Sequence, residues 1–198
     1  KLSIPLVHRA EMLGELMRLK KSIAIAGTHG KTTTTSLISK IFEQNNMDPT
    51  IINGGIISSL ASNAKLGQGK WMVVEADESD GSFSRLIPTI AVVTNIDLEH
   101  MDYHKNEKNL EKAFINFISS IPFYVFVSVC IDHHRIQKIL SKLSNKKIIT
   151  YGFSPNADIR AINVKFKNNK MIFDVSYRNN NNKKVSLIKN IEFSMIGN

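Results

Sequence analysis

A glycine-bounded turn, Gly27-Thr28-His29-Gly30-Lys31-Thr32-Thr33, joins an apolar run, Ser22–Ala26, to a stretch with helical spacing, Thr32–Asn45. This junction constrains the fold more than any other segment. A loop that curls around a phosphate must turn several backbone N–H groups inward. Glycines permit that curl, and the helix that follows adds the positive end of its dipole. The loop needs a strand feeding it and a helix leaving it, so at least one α/β layer is expected. The common phosphate-loop pattern has a glycine five positions before Gly30, where this chain has Ile25. The loop is therefore a variant whose first glycine is Gly27. Lys31 is the candidate partner for the β- and γ-phosphates of ATP, and the Thr32 hydroxyl the candidate Mg²⁺ ligand. Gly27, Thr28, His29, Gly30, Lys31, Thr32 and Thr33 form the expected nucleotide-binding set.

The flanking pattern extends the α/β reading. Helical spacing is expected from Arg9 to Lys20 and over Glu107–Ser120, where Leu110, Ala113, Phe114, Phe117 and Ile118 face inward. On the helix after the loop, Leu37, Ile38, Ile41 and Phe42 define the expected buried face. Thr50–Ile52, Lys70–Glu75, Thr89–Asn95, Phe123–Ile131 and Lys147–Tyr151 read as strands, and His133–Leu143 as a helix. Apolar strands alternating with helices predict a mostly parallel sheet with helices on both faces. Ligands in such sheets sit at the carboxyl ends of the strands. The polar clusters Gly27–Thr33, Glu75–Asp80 and Asn95–His100 fall at those ends. After about residue 156 the pattern changes. Ile159–Phe166 and Met171–Tyr177 flank Asn168–Asn169 as a hairpin, and Val185–Ile188 and Ile191–Met195 read as further strands. The expected fold class is α/β, like that of phosphate-loop nucleotide hydrolases, with a small antiparallel β appendage at 156–196.

Composition excludes several function classes. The 198 residues suffice for one sizeable core. No apolar run approaches the roughly 18 residues of a membrane span, so no membrane partner is expected. The net charge of +9 comes from basic residues scattered in ones and twos, which reads as solvated surface and not as a nucleic-acid-binding stripe. Asn179–Asn182 followed by Lys183–Lys184 reads as a polar loop. The single cysteine, Cys130, lies in an apolar run and is expected to be a buried strand thiol, which suits a reducing, cytoplasmic compartment. Lys1–Pro5 lacks both a methionine and signal-peptide anatomy, so a fragment or processed chain is expected.

Two further clusters carry chemistry. Glu75 directly follows Val73–Val74 and is the best-placed carboxylate for Mg²⁺. Asp77, Glu78 and Asp80 read equally well as ligands or as a solvated acidic turn. His100, after the Asn95 strand end, is a candidate metal ligand or orienting group. His8, His104, His133 and His134 have no such support, and His133–His134 read as a surface helix start. No cysteine–histidine set suggests zinc, and no nucleophile–histidine–acid set can be assembled. The expected catalytic residues are Lys31, Glu75 and His100, and the expected metal ligands Thr32, Glu75 and His100.

These residues resemble the Mur ligase family of cell-wall enzymes. The central domain of that family carries Gly-Thr-x-Gly-Lys-Thr, an acidic strand end and an Asn…His segment, matched here by Gly27–Thr32, Glu75–Asp80 and Asn95–His100. His29, the Thr32–Thr35 run, the whole segment Glu75–Asp80, Asn116-Phe117, Pro122-Phe123-Tyr124 and Tyr151-Gly152-Phe153-Ser154 resemble the branch that couples L-alanine. The resemblance covers essentially the whole chain. It implies a three-domain bacterial enzyme of peptidoglycan precursor synthesis, with residues 21–198 as its central ATP-binding domain and 1–20 leading in. The UDP-sugar domain and the carboxyl-terminal domain are expected outside this chain. By the same resemblance, ATP phosphorylates the lactyl carboxylate of UDP-N-acetylmuramic acid, and the amine of L-alanine attacks the acyl phosphate. The chain departs from the family pattern at Glu99, where Asp is usual, and at Gly81, where Ala is commoner. Phe114 lies near the place where sister ligases carry a carbamylated lysine, so no modified lysine is assigned. Two alternatives stay open: a ligase that recycles a ready-made peptide onto the same UDP-sugar, and a phosphate-loop nucleotide switch without ligase chemistry.

Overall fold

The computed structural model describes residues 5–57, 62–143, 145–178 and 185–194. The expected polar loop at 179–184 and the end of the last expected strand at Met195 lie outside them. In chain order the elements are α1 (Arg9–Met17), β1 (Lys21–Ala26), α2 (Lys31–Gln44), β2 (Thr50–Ile57), β3 (Ser62–Lys65) and β4 (Trp71–Glu75). One 3₁₀ turn (Ser82–Arg85) follows, then β5 (Ile90–Val93), α3 (Met101–His104), α4 (Glu107–Ser120), β6 (Phe126–Cys130), α5 (His134–Leu140) and β7 (Lys147–Gly152). β8 (Ile159–Lys167), β9 (Lys170–Arg178) and β10 (Val185–Ser194) complete the described chain.

The strands form one sheet in the order β10-β9-β8-β7-β6-β5-β1-β4-β2-β3. Strands β7, β6, β5, β1, β4 and β2 are mutually parallel, and β3, β9 and β10 pair antiparallel to their neighbours. Period-two alternation sorts the central side chains onto two faces. Ala24, Ala26, Met72, Val74, Ala91 and Val93 join the large core under α1, α4 and α5. Ile23, Ile25 and Val73 point the other way, against Ile38 and Phe42 of α2. Helices therefore cover both faces at the centre of the sheet, as the apolar runs required. α4 buries Leu110, Phe114, Phe117 and Ile118 as its spacing predicted.

The structure corrects several boundaries and faces. The antiparallel appendage is present as expected, and it joins the edge of the main sheet because β8 pairs parallel with β7 through Tyr151–Ile159 and Gly152–Arg160. Its last two expected strands are one strand, with an irregularity between Ile188 and Ile191 where Asn190 takes a positive φ. On α2, Leu37 and Ile41 are exposed, and the fully buried positions are Thr35 and Ser39. Small hydroxyl side chains let this helix lie close to the sheet. The strand expected from Phe123 starts at Phe126, since a turn closed by Val125 N–H to Pro122 O leaves Phe123 and Tyr124 82% and 72% exposed. Cys130 is half-buried, and burial pushes its thiol pKa up, which keeps it protonated. β3, the 3₁₀ turn and α3 have too few residues to show a period in sequence.

Candidate nucleotide-binding site

β1 lies between β4 and β5, all parallel, so the turns that leave their carboxyl ends adjoin. Here the chain order reverses direction across the sheet, the place where open α/β sheets bind ligands. Gly27 sits at φ 137°, and a Cβ there would meet Thr94 Oγ1 at 2.0 Å. The glycine is required by both its backbone angle and its close approach. Gly30, at φ 79°, caps α2 without any side-chain hydrogen bond to the helix start. The backbone hydrogen bond that closes the first turn runs from Thr34 N–H to Gly30 O at 2.9 Å. The opening N–H groups of α2 have no intrahelical acceptor, as at any helix start, and suit an anion. Thr28 is buried, while His29 and Thr33 are exposed.

Lys31 folds back over the loop. Its Nζ donates to Gly27 O at 2.7 Å and to Thr28 O at 3.0 Å. It also lies 2.9 Å from Glu78 Oε2 and 3.1 Å from Glu78 Oε1. Thr32 Oγ1 donates to Glu75 Oε2 at 2.9 Å, and Gly54 N–H donates to the same oxygen at 2.9 Å. A Cβ at Gly54 would stand 2.7 Å from Glu75 Oε1, so the glycine makes room for the carboxylate. Thr32 and Glu75 thus present adjoining hard oxygen ligands, the donor type Mg²⁺ prefers. His100 does not join them. It caps α3 in the left-handed region at φ 55°, and its Nε2 stands 4.0 Å from Glu78 Oε1. Among the described residues no group of three His, Cys, Asp or Glu side chains is arranged to hold a metal ion.

The family model described as Mur ligase middle domain matches residues 25–197. The chain belongs to the Mur ligase family. A UDP-N-acetylmuramate–L-alanine ligase of Agrobacterium fabrum is 48% identical over 194 residues, 98% of this chain and 41% of that protein. The one of Roseobacter denitrificans is 52% identical over 173 residues, 87% of this chain and 37% of that protein. The chain thus spans about 40% of the length of these curated relatives. Two solved structures share the fold. A UDP-N-acetylmuramate:L-alanyl-gamma-D-glutamyl-meso-diaminopimelate ligase from Neisseria meningitides matches at TM-score 0.76 and 21% identity, over 88% of this chain and 57% of that one. A UDP-N-acetylmuramate–alanine ligase from Thermotoga maritima matches at TM-score 0.72 and 23% identity, over 92% and 39%.

Sequence reasoning left several residues of this Mur ligase domain out of the site or undecided. Glu78 is 1% exposed and paired with Lys31, so it is no part of a solvated turn. Asp77 and Asp80 do lie at the rim, near Arg9 and His8. His104 is buried, and its Nε2 lies 2.9 Å from Glu78 O, tying α3 to the acidic turn. A lone histidine carries no such signal in sequence. Asn53 Nδ2 donates to Ser36 Oγ at 3.3 Å, because β2 runs on past its expected end at Ile52 and passes α2. His133 is half-buried at the start of α5, and its Nε2 lies 3.3 Å from Asp97 Oδ1, so it is not a plain surface position.

Burial raises the Glu78 pKa above its ordinary 4.5, and the hydrogen bond and charge of Lys31 only partly offset this. Only between 4.5 and the raised value does the folded state hold a proton that the unfolded chain has released. Stability accordingly falls as pH rises from 4.5 through the raised value, by at most about 1.4 kcal/mol per pH unit. Glu78→Gln is expected to remove this slope, and urea midpoints measured across that pH range check it.

Proposed function

We propose that this chain is the ATP-binding middle domain of a UDP-N-acetylmuramate–L-alanine ligase of peptidoglycan synthesis. The observation that carries the reading is the Lys31 ammonium, strapped across the mouth of the phosphate loop beside the Thr32–Glu75 pair. Relatives of that name, identical at 48–52% of aligned positions, support the choice of reaction. The phosphates of ATP would take the N–H groups that open α2, with Lys31 against the negative charge of the transferring phosphoryl group. Thr32 and Glu75 are the residues that would hold Mg²⁺, which supplies further charge neutralisation when bound. His100 would contribute from the rim of the same site. A lactyl carboxylate oxygen of UDP-N-acetylmuramate attacks the γ-phosphorus, and ADP departs. The amine of L-alanine then attacks the acyl carbon of the mixed anhydride. Phosphate leaves, the nitrogen gives up a proton, and an amide remains. Phosphorylation is needed because a free carboxylate is a poor electrophile.

In this reading the UDP-sugar and the amino acid bind chiefly on flanking domains, residues 21–198 supply ATP and positioning, and the compartment is the bacterial cytoplasm. The test is ADP release by the full-length protein with UDP-N-acetylmuramate and either L-alanine or a ready-made tripeptide. Turnover with L-alanine and not with the tripeptide is expected. Turnover with the tripeptide alone would identify a recycling ligase. ATP binding without sugar-dependent ADP release would leave a nucleotide-binding module.

A further inference from the structure

The phosphate loop is held from outside as well as by its own Lys31. A second segment, 94–97, grips it from the side. Asn95 does most of the gripping. Its Oδ1 accepts the His29 N–H at 2.8 Å, and its Nδ2 donates to His29 O at 3.0 Å. Its backbone O accepts the Thr28 N–H at 3.2 Å. One carboxamide thus brackets both polar groups of a single loop residue. A carboxamide offers a donor and an acceptor on one planar group, and both are used here. The neighbours add to the clamp. Thr94 Oγ1 donates to His29 O at 2.8 Å, and Asp97 N–H donates to Thr28 Oγ1 at 2.8 Å.

The clamp decides which N–H groups remain for a ligand. Those of Thr28 and His29 are spent on Asn95. The ones that open α2, beyond the left-handed Gly30, take no side-chain cap and are left for a ligand. A loop of this length without the clamp can rotate the His29 peptide and scatter these directions, at an entropic cost to each bound phosphate. The lysine depends on the same peptide geometry. Lys31 Nζ is anchored on Gly27 O and Thr28 O, the two carbonyls just before the bracketed residue.

We infer that Asn95 is a positioning residue for ATP: its side chain preorganises the phosphate loop and so sets affinity for the triphosphate without touching it. The inference rests on the ATP-ligase reading above. It concerns a residue that acts through the backbone of Thr28 and His29.

The test uses the full-length enzyme with Asn95→Ala, Asn95→Asp and Thr94→Val. Asn95→Ala is expected to raise the KM for ATP about tenfold, the equivalent of two net hydrogen bonds. The KM for UDP-N-acetylmuramate and the thermal midpoint should change little. Asn95→Asp keeps the shape and the acceptor but sets a carboxylate against His29 O, so it should weaken ATP at least as much. This near-isosteric variant decides the matter if the alanine variant folds poorly. Thr94→Val removes one hydrogen bond to the same carbonyl and should cost ATP affinity severalfold, about half the effect in logarithmic terms. Unchanged KM for ATP in both Asn95 variants would overturn the inference. So would equal weakening of ATP and UDP-sugar with a lowered thermal midpoint, which is the mark of a merely structural residue. Absence of ATP turnover in the unsubstituted enzyme would instead refute the functional reading on which the inference rests.

Discussion

Lys31→Ala is expected to lower kcat/KM for ATP by about 10²–10³-fold, the size seen when one preorganised charge at a developing negative centre is removed. The same substitution has a second, separable effect. Lys31 is the cation beside Glu78, a carboxylate that is 1% exposed. Removing one partner of a buried pair leaves the other charge uncompensated, at a cost of about 3–5 kcal/mol. The single variant is therefore both slower and less stable at neutral pH. Lys31→Ala combined with Glu78→Gln should recover most of the lost stability, because the carboxamide needs no counter-ion. It should recover none of the ATP affinity. Urea unfolding and calorimetric titration with ATP measure the two effects independently. Unchanged ATP affinity in the double variant would sink the phosphate-loop assignment.

Phe114→Ala is expected to destabilise the domain by about 3–5 kcal/mol, the usual range for truncating a buried aromatic ring. Phe114 is fully buried on α4. Its ring meets Phe83 edge-on at 5.2 Å, and Phe83 stacks on Phe117 at 5.0 Å. The loss is large against the 5–15 kcal/mol net stability of an ordinary domain. Phe83 belongs to the 3₁₀ turn that closes the acidic segment carrying Glu78. A cavity beneath it loosens the carboxylate that faces Lys31, so the KM for ATP should rise as the denaturation midpoint falls. A change under about 1 kcal/mol in chemical denaturation would show that neighbouring rings fill the space. Phe114 itself, completely buried in an aromatic cluster, supplies no charged group at this point of α4.

Much of this was legible before any coordinates. The Gly27–Lys31 turn required a strand and a helix on either side, and β1 and α2 supply them. The apolar runs of β1, β4 and β5 required cover on two faces, and the alternation of Ala24 with Ile25 is that cover written in sequence. Glu75 stood out because it ends a strand, and strand ends meet in a parallel sheet, which is how it comes to lie beside Thr32. Where local pattern is weak the reading failed. The exposed side of α2 carries Leu37 and Ile41, so its apolar stripe misreported which face is buried. The continuity of β8 with β7 rests on two backbone pairings that leave no mark on side-chain periodicity.

Lys31 and its glycine-bounded loop thus follow from sequence alone, since the constraint is local: backbone angles, a strand before and a helix after. What Lys31 faces does not. Glu78 lies 47 positions after Lys31 and Asn95 lies 66 positions after His29, and each meets the loop only because β4 and β5 flank β1. Strand order is set by how whole faces pack, and no short segment encodes it. The loop's chemistry was written in seven residues, and its shape and charge partner were decided by the sheet.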